Sequence, residues 1–164
     1  MSNLIVKGGN KLSGVITPAG NKNSALPILC ATLLTNEVVT LKNFPDLTDV
    51  SKLIELLVSL GSKIEWDKKK KEITIENSKL CDSFGDTGFP LGMRGAILLL
   101  APLLHRHKYL EIKEEIGGCS LGIRELDPHI EILKQLGAVI TNNKFLSISA
   151  EKGLIGATLW QDYM

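Results

Sequence analysis

Cys119 sits in Ile116-Gly117-Gly118-Cys119-Ser120-Leu121-Gly122, one thiol among three glycines, and Arg124, Asp127 and His129 follow within ten residues. Glycine has no Cβ and tolerates positive φ, so this spacing describes a loop that can approach a ligand closely. A thiol reacts as its thiolate, or gives up its proton readily, when a cation lowers its pKa, and Arg124 is the local cation. Taken alone, the pattern equally describes a surface turn with an inert cysteine. The rest of the chain must decide.

The elements that would hold this loop follow from periodicity. Leu4-Ile5-Val6 and Gly14-Val15-Ile16-Thr17 read as short strands, the second closed by Pro18-Ala19-Gly20. A helix is predicted over Ala25 to Leu34, with Pro27 in its first turn, where a missing N–H is tolerated. Cys30 lies within it as core filler. Val38 to Leu41 is a β-branched strand. Asp46 or Thr48 can cap a helix carrying Val50, Leu53, Ile54, Leu57 and Leu60 at helical spacing, stopped by Gly61. Lys63–Trp66 and Glu72–Ile75 form a hairpin whose turn, Lys68 to Lys71, is a solvated charge run.

The pattern then recurs: apolar helix Ala96–Leu104, strand Tyr109–Ile112, helix Ile130–Gly137, and paired strands Val139–Thr141 and Leu146–Ile148. His105 and His107, which flank Arg106 after the apolar helix, read as exposed turn residues. Ala31–Leu34 matches Ala101–Leu104 (101 − 31 = 70), and Leu57–Gly61 matches Leu133–Gly137 (133 − 57 = 76). The difference of six places an insertion in the interval that holds the cysteine loop. A loop grafted onto one copy of a repeat points to function. Leu154–Leu159 resembles Leu12–Thr17 and opens a third copy, so the chain reads as the front part of a longer protein.

Composition narrows the rest. The 164 residues are 44% hydrophobic and 23% charged, with net charge +1, an ordinary globular balance that can build a core. That charge offers no footprint for nucleic acid, and two Trp and two Tyr offer little stacking surface. Three widely spaced cysteines form no CxxC or His/Cys cluster for zinc. The longest apolar run, Ala96 to Leu104, is too short for a membrane, and the N-terminus lacks a signal-peptide core. The expected location is a reducing cytoplasm.

Gly20-Asn21-Lys22-Asn23-Ser24-Ala25-Leu26-Pro27, the cysteine segment Gly117–His129 and the βαβαββ repeat together resemble the UDP-N-acetylglucosamine 1-carboxyvinyltransferases. These enolpyruvyl transferases commit the sugar nucleotide to peptidoglycan synthesis and are the target of fosfomycin. The resemblance runs from about Lys7 to Met164 and implies an α/β (α+β) fold, repeated βαβαββ units of an inside-out α/β barrel, here truncated. Residues 1–20 would be strands packing with a second lobe. Residues 21–164 would form most of the first lobe, with repeats at about 12–76 and 86–150 and a third starting near 152.

The resemblance also implies roles. Lys22 would hold phosphoenolpyruvate and Asn23 the sugar nucleotide; an ammonium beside a helix start suits a phosphate dianion. Arg94 matches a ligand-binding arginine, able to grip phosphate with two parallel hydrogen bonds. Cys119 would be the proton donor to the methylene carbon of phosphoenolpyruvate, on a lid that closes over substrate. Arg124, Glu125, Leu126, Asp127 and Pro128 match the segment that touches both substrates, although Glu125 and Pro128 replace the more usual proline and leucine. His129 reads as a structural helix-start residue. No metal or organic cofactor is implied, and the expected partners are the two small molecules, not nucleic acid or membrane.

The family's catalytic aspartate and a second phosphoenolpyruvate-binding arginine fall beyond Met164, so the rest of the same polypeptide is expected to complete the site. The 164 residues alone are expected to bind nucleotide sugar without turnover. A sister enolpyruvyl transferase, acting on 3-phosphoshikimate, ranks lower: it typically has serine after the early lysine and lacks the cysteine loop. A Cys119/His129 thiol hydrolase ranks lower still, because no third group orients the imidazole.

Overall fold

The same chain path is traced twice. Helix α1 (Lys22–Thr32) leads to strand β1 (Val39–Leu41), helix α2 (Thr48–Ser59) and the hairpin β2 (Lys63–Asp67) and β3 (Glu72–Glu76). The second pass runs through a 3₁₀ segment (Arg94–Leu99), α3 (Leu100–His107), β4 (Tyr109–Ile112), α4 (Asp127–Gln135), β5 (Val139–Asn142) and β6 (Leu146–Ser149). This computed structural model describes residues 4–81, 94–112, 127–144 and 146–160, without the side chains of Arg94 and Asp127.

Each pass builds a three-stranded antiparallel sheet, ordered β1-β3-β2 and β4-β6-β5. In the first, Ile75 lies between Val39 and Ile64; in the second, Ile148 lies between Leu110 and Ile140. These registers sharpen the repeat. Val39 and Leu110 differ by 110 − 39 = 71, whereas Ile64 and Ile140 differ by 140 − 64 = 76. Five of the six inserted residues therefore enter after the first strand of the second copy and before the paired hairpin. The cysteine segment falls in that interval and lies outside the described residues.

One core joins both copies. Leu29, Leu33, Leu53, Leu57, Ile73 and Ile75 from the first pack in one cluster with Leu99, Leu100, Leu103, Leu104 and Ile148 from the second. Burying a leucine or isoleucine contributes roughly 1.5–3 kcal/mol. Helix α2 shows the predicted stripe, with Val50, Leu53 and Leu57 fully buried. Gly61 stops it with φ +98°, where an added Cβ would also meet the Lys79 carbonyl at 2.5 Å. Among the described residues, no helix is long and apolar enough to cross a membrane.

Several local expectations need correction. Leu4–Val6 and Gly14–Thr17 form no strand, and Leu12, Val15 and Ile16 stand almost fully exposed. β-branched composition favours extended backbone, but a strand needs a partner edge, and none of the described residues supplies one. Helix α1 starts three residues early, which puts Pro27 inside it rather than in the first turn. Neither Asp46 nor Thr48 caps α2: its N-cap is Leu47, and Asp46 instead accepts from Lys68 Nζ at 2.9 Å. The apolar run at Ala96 begins as 3₁₀, leaving Pro102 in the first turn of α3. His105 and His107 are not turn residues: both lie in the last turn of α3, His105 exposed and His107 half-buried, with half-buried Arg106 between them.

Candidate functional site

The first turn of α1 presents Lys22 and Asn23. Asn21 is the N-cap, with extended backbone, and its side-chain oxygen accepts from the Asn23 N–H at 2.7 Å. Its carbonyl accepts the first helical bond, from the Ala25 N–H at 3.0 Å. Such a cap satisfies one of the open donors of a helix start. Polar residues therefore suffice to start the helix before the apolar periodicity begins.

Pro27 adds a feature that sequence reading missed. It has no N–H to give the carbonyl four residues back, so the Asn23 carbonyl lacks its intrahelical donor. The signal was present in the spacing Asn21 to Pro27, once the cap is recognised.

Lys22 Nζ donates to Asp49 Oδ2 at 2.8 Å, and both side chains are nearly half exposed. Asp49 belongs to the first turn of α2, so this pair ties two helix starts. The hydrogen bond and positive charge of Lys22 hold the Asp49 carboxyl below its ordinary value, with a lesser contribution from Lys52.

Gly20 precedes this corner because nothing larger fits: a Cβ there would overlap the Asn43 carbonyl and meet Pro45 Cδ at 2.9 Å. A cavity of about 420 Å³ opens alongside, lined by Gly20, Asn21, Ser24, Ile28, Lys42 and Asn43 among others. Lys22 and Asn23 do not line it, so the cavity is a neighbour of the candidate residues and not their pocket.

The remaining predicted residues are placed in part. Arg94 opens the 3₁₀ segment that packs on α1, Asp127 is the first residue of α4 and Pro128 the second, where proline's fixed φ suits a helix start. His129 is exposed in that first turn. Cys119, Arg124, Glu125 and Leu126 lie outside the described residues. Cys30 is buried as core, and desolvation pushes its thiol up to about 12. It is chemically inert at neutral pH.

A family model for EPSP synthase (3-phosphoshikimate 1-carboxyvinyltransferase) matches residues 6–158. The chain belongs to this family. Among curated relatives, it is 41% identical to the UDP-N-acetylglucosamine 1-carboxyvinyltransferase of Pelagibacter ubique (strain HTCC1062), over 97% of this chain and 38% of that protein. It is 42% identical to the relative of the same name in Bradyrhizobium diazoefficiens, over 96% of this chain and 36% of that protein. The chain thus spans less than two-fifths of the length of these EPSP synthase family members. The crystal structure of the enolpyruvyl transferase NikO from Streptomyces tendae superposes with a TM-score of 0.66 at 20% identity, covering 88% of this chain and 31% of NikO. That likeness, at 20% identity, speaks for the fold alone.

Proposed function

We propose that this chain forms the first part of a UDP-N-acetylglucosamine 1-carboxyvinyltransferase of the cytoplasm, serving peptidoglycan synthesis. The carrying observation is the capped first turn that presents Lys22 and Asn23, in a chain 41% identical to a relative of that name. In the reaction, the 3′-hydroxyl of the sugar gives up its proton to a base from the rest of the polypeptide, its oxygen bonds to C2 of phosphoenolpyruvate, and C3 gains a proton. Loss of a C3 proton and of phosphate then restores the double bond on the sugar ether.

Each residue has a part in this reading. Lys22, Arg94 and Arg124 neutralise the phosphate and carboxylate and favour the crowded tetrahedral intermediate. Cys119 donates the proton to C3, and its glycine-rich segment closes as a lid that keeps water from the intermediate. Asn23 and the residues Glu125 to Pro128 hold the sugar nucleotide. The rest of the polypeptide supplies the opposite wall, and residues 1–20 pack with the second lobe. Asp49 acts as the resting counter-ion of Lys22, and the substrate phosphate takes its place.

The test is product identity. Incubation of the full coding-length protein with both substrates should yield UDP-N-acetylglucosamine carrying one carboxyvinyl ether, detected by mass spectrometry. The Cys119→Ser variant should lose most of that product. Unchanged turnover in this variant would remove the proton-donor role. The second reading, transfer to 3-phosphoshikimate, is favoured only by the name of the matching family model, and Asn23 after Lys22 speaks against it.

A further inference from the structure

Arg106 joins the two copies of the repeat from a position no functional reading uses. Its Nε donates to the Leu33 carbonyl, Nη2 to the Thr35 carbonyl at 2.7 Å and to Asn36 Oδ1 at 2.9 Å, and Nη1 to the Asn77 carbonyl at 3.1 Å. Leu33 and Thr35 lie at and just past the end of α1. A helix end leaves carbonyls without intrahelical donors and carries partial negative charge, so a guanidinium is well matched to it.

The fourth acceptor extends the anchor inward. Asn77 is fully buried directly after β3; its Nδ2 donates to Thr32 Oγ1 at 3.1 Å, and its Oδ1 accepts from Ser62 Oγ at 2.7 Å. Thr32 Oγ1 in turn donates to the Leu29 carbonyl at 2.7 Å. One planar group in α3 therefore addresses the ends of α1 and β3 and, through Asn77, Ser62 directly before β2. A lysine has no fixed fork of donors and could not reproduce this.

The position has a consequence for the other end of the helices. Helix α1 and the Arg94–His107 segment end side by side, and α1 packs on the Arg94–Leu99 turn. Apolar packing is non-directional and tolerates sliding along the axes. The guanidinium, fixed at four acceptors, does not. Lys22 opens the first helix and Arg94 opens the second segment.

We propose that Arg106 is a positioning residue: it fixes the axial register of α1 against the Arg94–His107 segment so that Lys22 and Arg94 meet one phosphate of phosphoenolpyruvate. This rests on the reading that those two cations hold that anion. A displacement of about 1 Å at a reacting group can lower a rate on the order of 100-fold, so a small slip suffices.

The test is a double-mutant cycle in the full coding-length protein, with Arg106→Lys, Arg94→Lys and the pair. Arg106→Lys should raise KM for phosphoenolpyruvate about 10-fold with a smaller change in kcat, and leave KM for UDP-N-acetylglucosamine within about twofold. Arg94→Lys should then do less harm in the Arg106→Lys background than in the wild type. Asn36→Ala, which removes one acceptor and keeps the rest, should show the same KM pattern more weakly, and carries the test if Arg106→Lys does not fold. Folded variants with unchanged KM, or effects at the two arginines that multiply independently, would reduce Arg106 to a stabilising clamp and overturn the proposal. A wild-type protein that releases no phosphate from phosphoenolpyruvate would instead overturn the functional reading, and this inference with it.

Discussion

Lys22 Nζ lies 2.8 Å from Asp49 Oδ2, so the cation expected to hold phosphate is paired with a carboxylate from the neighbouring helix start. Lys22 favours the charged form of Asp49, which places the folded pKa below the ordinary value of 3.8. The pair is therefore intact above that value and lost as pH falls through the lower, folded one. Because both groups are solvent-screened, the effect on global stability is small. A carboxyl-carbon NMR titration should place the Asp49 midpoint below 3.8, and Lys22→Ala should raise it. A midpoint indifferent to Lys22 would show that the pair does not persist in solution.

The buried network around Asn77 predicts a stability effect separate from activity. Asn77→Ala removes the acceptor of the Ser62 hydroxyl and one partner of Thr32 in a buried site. Leaving a buried polar group unsatisfied costs about 1–3 kcal/mol, so the urea midpoint should fall accordingly with little change in m. An unchanged midpoint would mean that the network is replaced by water at no cost.

Gly61 gives a sharper backbone test. Its φ of +98° and the Lys79 carbonyl facing it leave no room for a side chain. Gly61→Ala should destabilise by at least about 1–2 kcal/mol through the left-handed conformation alone. The same change at Gly8, which has open space around it, should be nearly silent. Equal midpoints for the two variants would show that the turn after α2 is not built as described.

Thiol chemistry separates the cysteines. Burial pushes Cys30 up to about 12, leaving almost no thiolate at neutral pH. Fosfomycin should therefore give one adduct, on Cys119, promoted by the sugar nucleotide, with Cys30 and the exposed Cys81 unmodified. Labelling spread over all three would show that Cys119 is not specially activated.

What could be read from the residues, and what could not, divides along the range of the interactions. The stripe Val50, Leu53, Leu57 and the paired hairpins carry their own periodicity, and both copies fold as that periodicity predicts. The start of α1 was missed because Lys22 to Ser24 are polar and only the Asn21 cap announces them. The strands expected at Leu4–Val6 and Gly14–Thr17 failed because composition names an extended segment but not its partner. The place of Arg106 was not legible because its acceptors are mostly main-chain carbonyls about 30 to 70 residues away, and a carbonyl leaves no mark in a sequence. The Asp49 partner of Lys22 was not legible either: a single ion pair 27 residues apart has no pattern.

The most direct measurement of the central claim is phosphate release from phosphoenolpyruvate by the full coding-length protein. It should be made with UDP-N-acetylglucosamine, with 3-phosphoshikimate in its place, and with neither. Release only in the presence of UDP-N-acetylglucosamine, falling on the order of 100-fold in Lys22→Ala, is the predicted result. Release with 3-phosphoshikimate alone, or none with either acceptor, would contradict it.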